Sequence, residues 1–140
     1  CKDFLINTLM DPRLMEHNTQ NRADQLEKFK SSKEPLVLVS PSMNEGVDLP
    51  GDLCRFQIIY KLPYPDLRDK QIMMRANADE EWYDYKTSLA LVQTYGRGMR
   101  FEDDRCMTYF IDSRISSYFA NDRFLPDSFK YLFRQNNFDD

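Results

Sequence analysis

The chain has 140 residues, of which 41% are hydrophobic and 14% aromatic. It is long enough for one domain with a core, too short for two large domains, and too apolar for a disordered segment. The formal net charge of −4 argues against a dedicated nucleic-acid-binding domain, which is usually basic, and no apolar run is long enough to span a membrane.

The three cysteines, Cys1, Cys54 and Cys106, are widely separated. Their odd number does not indicate a disulfide framework, and a reducing, intracellular compartment is the simpler interpretation. No C-x-x-C spacing occurs, so we expect no metal site formed with His17. The chain opens on Cys1 without a methionine or a signal stretch. We therefore expect a piece of a larger protein, cytoplasmic, or nuclear if the source is eukaryotic.

In chain order, the first half predicts two helices and two short strands. Residues Cys1–Leu9 are expected to be the tail of a helix, and Leu14–Met15 gives a weak strand signal. A second helix follows, capped by Thr19 or Asn21. The apolar run Leu36–Val39 is bounded by prolines, which is typical of a buried central strand.

The second half continues the alternation. Phe56–Tyr60 predicts a strand so apolar that both of its faces should be covered. Asp66 is expected to start a helix, and a longer helix should run from Trp82 to about Met99 with Leu89, Val92 and Gly96 on one stripe. Met107–Ile111 is the last strand. Strands alternating with helices indicate an α/β fold with a parallel sheet flanked by helices on both faces.

The tail, residues 116–140, is rich in aromatic side chains. We expect these to pack on the domain or on a partner domain, although a platform for stacking single-stranded bases is the alternative.

The loop from Ser40 to Asp52 follows the Leu36–Val39 strand directly. In open α/β sheets, ligands bind outside the carboxyl ends of the strands. The glycines of this loop can present backbone N–H groups to phosphates, and its carboxylates can hold a ribose hydroxyl or an attacking water. The alternative is an Asx-rich turn whose acids cap the next element.

A second segment, Gln93–Arg100, ends the long predicted helix. Arg97 and Arg100 are three residues apart, so on a helix they share a face and can converge on one anion. A guanidinium stays charged and matches phosphate oxygens. Gly96 and Gly98 keep bulky side chains away from the approach. The alternative is a solvated basic helix end.

Together these segments resemble the second motor domain of superfamily-two DNA helicases of the XPD/DinG type. Glu45–Asp52 is similar to motif V of that family, E-G-x-D-x-P-G, and Phe56–Pro65 to the strand and L-P-[FY]-P loop after it. Gln93–Arg100 is similar to motif VI, Q-x-x-G-R-x-x-R. Asp104 and Asp112–Arg114 fall where the family carries an Asp after motif VI and a D-x-R after the last strand. The resemblance implies that residues 1–140 form one RecA-like domain.

The resemblance also implies roles for individual residues. Arg97 and Arg100 would be arginine fingers that reach the γ-phosphate of ATP across a cleft, with Gln93 orienting water or nucleotide and Gly96 beside the cofactor. In motif V, Glu45 and Asp48 would couple nucleotide state to the strand-binding loop, with Gly46 allowing the turn. Three residues would contact the backbone of single-stranded DNA: Ser40, Ser42 and Asn44. Asn44 stands where the family often has an aromatic residue.

The implied function is the second half of an ATP-dependent motor that moves 5′ to 3′ on single-stranded DNA in repair or related processing. The sequence contains no G-x-x-x-x-G-K-[ST] loop. ATP and Mg²⁺ would therefore be held mainly by a preceding RecA-like motor domain, and the isolated chain should be inactive. Relatives often carry an iron–sulfur cluster in that other domain, and none is implied here. Two alternatives remain, a scaffold module that has lost its motor and an RNA-directed helicase.

Overall fold

The structure, a computed structural model, describes residues 2–40, 47–99, 101–121 and 123–132, except for the side chains at positions 2, 3 and 5. The chain divides into two compact units, Cys1–Val47 and Asp48–Asp140. The two units are described separately below. The expectation of a single domain over residues 1–140 stays a prediction.

The first unit is a β-α-β arrangement preceded by a helix. Helix α1 spans Lys2–Leu9, strand β1 Leu14–Glu16, helix α2 Arg22–Ser31 and strand β2 Val37–Val39. The strands pair in parallel, with Leu14 opposite Val37 and Glu16 opposite Val39. All four elements are where the sequence predicts them, within a few residues.

The start of helix α2 differs from the prediction in its detail. Asn21 occupies the N-cap position, but its side chain makes no hydrogen bond to the helix. Its Oδ1 instead accepts from the Asn18 backbone nitrogen at 2.7 Å, while the Asn18 side chain accepts from Gln20 and Asn21. The two asparagines therefore bind each other's backbone and form a turn ahead of the helix.

The described residues of the second unit form two strands and four α-helices. Strands β3 (Phe56–Ile59) and β4 (Met107–Phe110) pair in parallel, with Phe56 opposite Met107 and Ile59 opposite Phe110. The helices are Lys70–Ala78 (α3), Glu80–Tyr95 (α4), Ile115–Asn121 (α5) and Asp127–Leu132 (α6), and 3₁₀ turns cover Gly51–Leu53 and Gly96–Gly98. Parallel strands joined through helices confirm the α/β class and are consistent with a RecA-like fold.

The hydrophobic core of this unit lies between β3, α4 and the tail helices. Its buried members are Ile59, Leu62, Leu91, Ile115, Phe119, Leu125 and Phe129. Phe129 meets Tyr95 edge-on at a ring-centroid separation of 5.0 Å and stacks on Phe119 at 5.4 Å. These aromatic rings of the tail are thus used for packing within the unit, and Phe129 braces the last residue of α4.

The helix expected from Asp66 begins four residues later. Asp69 is the N-cap of α3, and its carboxylate accepts hydrogen bonds from the backbone nitrogens of Gln71 and Ile72. Asp66 is engaged elsewhere, because it forms a two-pronged ion pair with Arg68 in the preceding turn. Both residues are good caps, so the choice depends on this local pairing.

Helix α4 buries a different stripe from the one predicted. Its buried residues are Thr87, Ser88 and Leu91 rather than the Leu89–Val92–Gly96 stripe. Two of the three are polar and hydrogen-bonded: Thr87 donates to the Tyr83 carbonyl at 3.0 Å, and the Ser88 hydroxyl lies 2.7 Å from the hydroxyl of Tyr118. A hydroxyl that is hydrogen-bonded can be buried at little cost in free energy. The spacing of apolar residues along the helix does not show which hydroxyls will be buried in this way.

Strand β3 is not covered on both of its faces by the described residues. Its inward residue Ile59 is buried, but Phe56 is 49% and Ile58 55% exposed, and on β4 Tyr109 is 52% exposed. The prediction of two covered faces is therefore wrong for the described part of the chain. The apolar composition of a strand shows only that its side chains can be buried. Burial of both faces also requires a helix or another sheet packed on each face.

Candidate functional site

The described part of the chain contains five of the predicted site residues. Gln93 lies in the last turn of helix α4, and Gly96 and Arg97 follow the end of that helix. Asp48 begins the second unit, and Ser40 lies in the first unit directly after strand β2. Gln93 and Asp48 are exposed, and the other three are half-buried. The remaining predicted residues fall outside the described residues: Ser42, Asn44, Glu45, Gly46 and Arg100.

Helix α4 stops at Tyr95, four residues earlier than predicted. Gly96–Gly98 form a 3₁₀ turn, in which the Met99 backbone nitrogen donates to the Gly96 carbonyl at 3.3 Å. Arg97 therefore lies on this tight turn and not on the helix. The argument that Arg97 shares a helical face with residue 100 does not hold for this geometry, since α4 has already ended.

This turn is joined directly to the motif V segment. The backbone nitrogen of Leu49 donates to the carbonyl of Arg97 at 3.2 Å. Leu49 lies one residue beyond Asp48, so the two segments that the sequence singles out are in contact through their backbones. A displacement of the motif V segment should therefore displace the Gly96–Gly98 turn, and the reverse should also hold.

A second link runs through Asp104, a buried carboxylate with 9% exposure. Its Oδ1 accepts from the Gly51 nitrogen and its Oδ2 from the Phe101 nitrogen, both at 2.9 Å. Gly51 has φ +60, a left-handed conformation that glycine adopts without a steric penalty. One carboxylate thus fixes the end of motif V and the turn that follows motif VI.

A third link holds the end of helix α4 against the strands. The side-chain amide of Gln57 donates to the Tyr95 carbonyl at 2.8 Å and to Thr108 Oγ1 at 2.9 Å. Carbonyls in the last turn of a helix have no partner within the helix, and Gln57 supplies one. A single glutamine inside an otherwise apolar strand is the sequence signal for this role.

Gly98 is packed against the side chains of two cysteines. A Cβ added there would lie 2.5 Å from Cys106 Sγ and 3.1 Å from Cys54 Sγ, whereas one added at Gly96 would meet nothing within 4 Å. The prediction that both glycines clear the approach to the arginines therefore needs correction at Gly98. Its lack of a side chain makes room for the two sulfurs.

A separate network fixes the loop after β3. Asp112 accepts from the Leu62 nitrogen at 3.0 Å and forms a two-pronged pair with Arg114, at 3.0 Å from Nε and 2.8 Å from Nη2. The Arg114 guanidinium holds the pKa of Asp112 well below its usual range. Arg114 also lies 5.1 Å from the ring of Tyr64, so the D-x-R and L-P-Y-P segments are joined.

In the first unit, the hydroxyl of Ser40 lies 2.7 Å from Nε2 of His17, which is buried. His17 Nδ1 lies 3.3 Å from the carbonyl of Asn18. His17, which the sequence analysis does not expect to bind a metal, is used to position Ser40. The described His, Cys, Asp and Glu side chains form no group of three that could hold a metal ion. None of the described helices is long and apolar enough to cross a membrane.

The geometry places a guanidinium, permanently charged, on a turn braced by three sets of hydrogen bonds. Such a group can bind an anion presented by a second surface, and its position depends on the motif V segment. Asp104 and Gln57, which supply much of this bracing, were not among the predicted site residues. The sequence signal for Asp104 was its place after motif VI in the family pattern.

Comparison with known proteins supports the resemblance of motifs V and VI to those of helicases. The family described as "Helicase C-terminal domain" matches residues 3–130. The ATP-dependent DNA helicase CHL1 of Vanderwaltozyma polyspora is 24% identical over 137 residues, which covers 81% of this chain and 16% of that protein. CHL1 of Eremothecium gossypii is 24% identical over 148 residues, with 81% and 18% covered.

The Fanconi anemia group J protein homolog of Gallus gallus is 24% identical over 103 residues, which covers 63% of this chain and 8% of that protein. The chain thus spans less than a fifth of the length of these curated relatives. The resemblance to the XPD/DinG type that motifs V and VI indicate is confirmed.

Proposed function

Since the chain belongs to the helicase C-terminal domain family, we propose that it is the second motor domain of an ATP-dependent DNA helicase that moves 5′ to 3′. The observation that carries the proposal is the bonding between motifs V and VI. Leu49 donates to Arg97, and Asp104 holds Gly51 to the turn at Phe101. A motor needs this kind of connection between the part that faces nucleotide and the part that faces the strand.

On the nucleotide side, Arg97 and Arg100 act as arginine fingers. ATP, held with Mg²⁺ by a preceding motor domain, supplies the phosphoryl bond whose hydrolysis drives stepping. The planar fork of a guanidinium fits phosphate oxygens, and its charge stabilises the charge that develops on the transferred group. Gln93, exposed one turn before Arg97, orients water or nucleotide, and Gly96 leaves open space beside it.

On the DNA side, the loop that follows strand β2 contacts the backbone of a single strand through Ser40, Ser42 and Asn44. The His17 imidazole holds the Ser40 hydroxyl at 2.7 Å and so fixes its orientation. The roles proposed for motif V are that Glu45 and Asp48 couple the nucleotide state to this loop and that Gly46 allows the turn. A net charge of −4 keeps non-specific attraction to DNA low, which suits a motor that must release each phosphate as it steps.

A strand-displacement assay tests this function. The full-length protein is given ATP and duplexes that carry a single-stranded extension at the 5′ or the 3′ end, built from DNA or from RNA. We expect unwinding of the DNA duplex with the 5′ extension. Preference for the RNA track would identify an RNA-directed motor, unwinding from the 3′ extension would overturn the polarity, and ATP-independent binding without unwinding would identify a scaffold.

The isolated chain supplies a complementary test. Because its sequence lacks the phosphate-binding loop, we expect no ATP turnover with or without DNA. Its affinity for single-stranded DNA should lie in the non-specific range of about 10⁻⁴–10⁻⁶ M and fall as salt rises. DNA-stimulated turnover by this chain alone would overturn the division of roles between the two motor domains.

A further inference from the structure

Two thiols from distant parts of the sequence meet beneath the motif VI turn. The Sγ atoms of Cys54 and Cys106 are 3.5 Å apart, and both cysteines are free. Cys54 is buried, with 7% exposure, and Cys106 is half-buried. The pair lies where strands β3 and β4 begin, and it was not predicted from the cysteine spacing.

The backbone places the pair at a separation that a disulfide can span. Phe56 is opposite Met107, and the Met107 nitrogen donates to the Arg55 carbonyl at 3.0 Å, so Arg55 is opposite Cys106. Cys54 is therefore offset from Cys106 by one residue on neighbouring strands. A spacing of about 4.8 Å between strands and a rise of about 3.3 Å give a Cα–Cα distance of about 5.8 Å. Disulfides favour about 5.5–6 Å.

The two thiols differ in access and in acidity. Cys106 lines an open cavity of about 930 Å³, whose charged lining residues are Arg55, Asp103, Asp104 and Arg105. Burial raises the pKa of both thiols, that of Cys54 to about 12. At Cys106, the contact with the Cys54 thiol opposes the effect of burial on the pKa, whereas the negative charge of Asp104 adds to it. Cys106 is thus the sulfur that a small oxidant reaches first.

We infer that Cys54 and Cys106 are a site of reversible oxidation, which closes to a disulfide when a hydroperoxide enters the cavity beside Cys106. The Cys106 thiolate attacks a peroxide oxygen, the O–O bond breaks, and a sulfenic acid and one water form from hydrogen peroxide. The Cys54 sulfur then attacks the Cys106 sulfur, the S–O bond breaks, and the second water leaves with the Cys54 proton. Two thiols and one peroxide give one disulfide and two waters.

Closure should be transmitted to the motif VI turn through Gly98. Both sulfurs approach the Gly98 position so closely that a Cβ there would lie 2.5 Å from Cys106 Sγ and 3.1 Å from Cys54 Sγ. Disulfide formation shortens the Sγ–Sγ distance from 3.5 Å to about 2.05 Å. The two sulfurs must therefore come closer to each other by about 1.5 Å, and both lie against Gly98, the residue after Arg97. The oxidation site itself does not depend on the proposed helicase function.

The oxidation site is tested by mass spectrometry on the chain with Cys1→Ser, which leaves only the pair. After treatment with hydrogen peroxide and alkylation of free thiols, we expect neither cysteine to be alkylated, the chain to be lighter by two hydrogen atoms, and dithiothreitol to restore both thiols. Cys54→Ala is the matched control, in which Cys106 should stop at a sulfenic acid that dimedone traps. Two alkylatable thiols after oxidation, or a sulfinic acid at Cys106 beside a reduced Cys54, would overturn the inference.

The effect on motif VI is tested by amide hydrogen exchange before and after oxidation. The Leu49 amide, bonded to the Arg97 carbonyl, should change its exchange rate on oxidation and recover on reduction. The Ile111 amide, bonded to the Ile59 carbonyl at 3.1 Å, is a reference in the same unit and should not change. An unchanged Leu49 amide in a chain shown to be oxidised would disprove transmission to motif VI.

Discussion

The carboxylate of Asp104 and the backbone nitrogen of Gly51 are joined by a 2.9 Å hydrogen bond across 53 residues of chain. Gly51 adopts φ +60 at this bond, a backbone conformation that glycine reaches without a steric penalty. The second oxygen of Asp104 holds the Phe101 nitrogen, on the far side of motif VI. One side chain therefore sets the spacing between the end of motif V and the residue that follows motif VI.

Asp104→Asn should destabilise the second unit by about 2–3 kcal/mol, because the amide nitrogen of asparagine faces a backbone N–H where a carboxylate oxygen accepted a hydrogen bond. Asp103→Asn is the matched control, since Asp103 is exposed and its replacement should change stability by less than about 0.5 kcal/mol. Urea unfolding of the two variants measures the difference. Equal free energies of unfolding for the two variants would show that the hydrogen bonds of Asp104 do not stabilise the fold.

Gly98→Ala should lower the stability of the folded protein, whereas Gly96→Ala should not. A methyl at Gly98 would collide with Cys106, whose Cβ lies 2.8 Å from the new atom, and overpacking of this kind costs about 1–3 kcal/mol. Gly96 has helical backbone angles and open space, so alanine there should be neutral or slightly stabilising. Thermal unfolding of both variants tests the pair. A Gly96 variant that loses as much stability as the Gly98 variant would contradict this packing.

The pairing of Asp112 with Arg114 should make stability depend on pH. Because the pKa of Asp112 is lower in the folded protein than the unfolded value of about 3.9, its contribution is complete well above that pH and is lost as pH falls through the folded pKa. Asp112→Asn should cost about 2 kcal/mol near neutral pH, and the gap from wild type should close in acid.

The exposed Asp66–Arg68 pair provides the control for that experiment. Asp66→Asn should change the free energy of unfolding little at neutral pH, since exposed ion pairs contribute little. Denaturant unfolding of the three proteins across the acid range measures the effect. A gap between wild type and the Asp112 variant that stays constant down to the lowest pH would show that ionisation of Asp112 is not the cause.

The element order could be predicted from the sequence because apolar runs and their breaks are local signals. Strand β3 and helix α4 are both close to their predicted positions. The end of α4 was predicted four residues too late, although Gly96, which caps the helix, is a residue typical of helix ends. That end is held from a distance, by the Gln57 amide on the Tyr95 carbonyl.

Only those residues of the candidate site that belong to the family motifs could be predicted from the sequence. Motif VI identified Arg97, but the pattern does not report that Gly98 packs on two sulfurs or that His17 binds Ser40. These contacts join residues far apart in sequence, and a single sequence contains no signal of their proximity. The buried Thr87 and Ser88 were missed for a related reason, since their hydroxyls are satisfied by partners that the pattern does not show.

The proposed role of Arg97 as an arginine finger can be measured through the ATPase rate of the full-length protein with Arg97→Lys. Lysine keeps the charge but not the planar fork, so DNA-stimulated turnover should fall by about 10³–10⁵, the usual worth of such an arginine. Arg68→Lys, on an arginine with 91% side-chain exposure, is the matched control and should keep the wild-type rate. An Arg97→Lys protein that retains more than about a tenth of wild-type turnover would contradict the finger role.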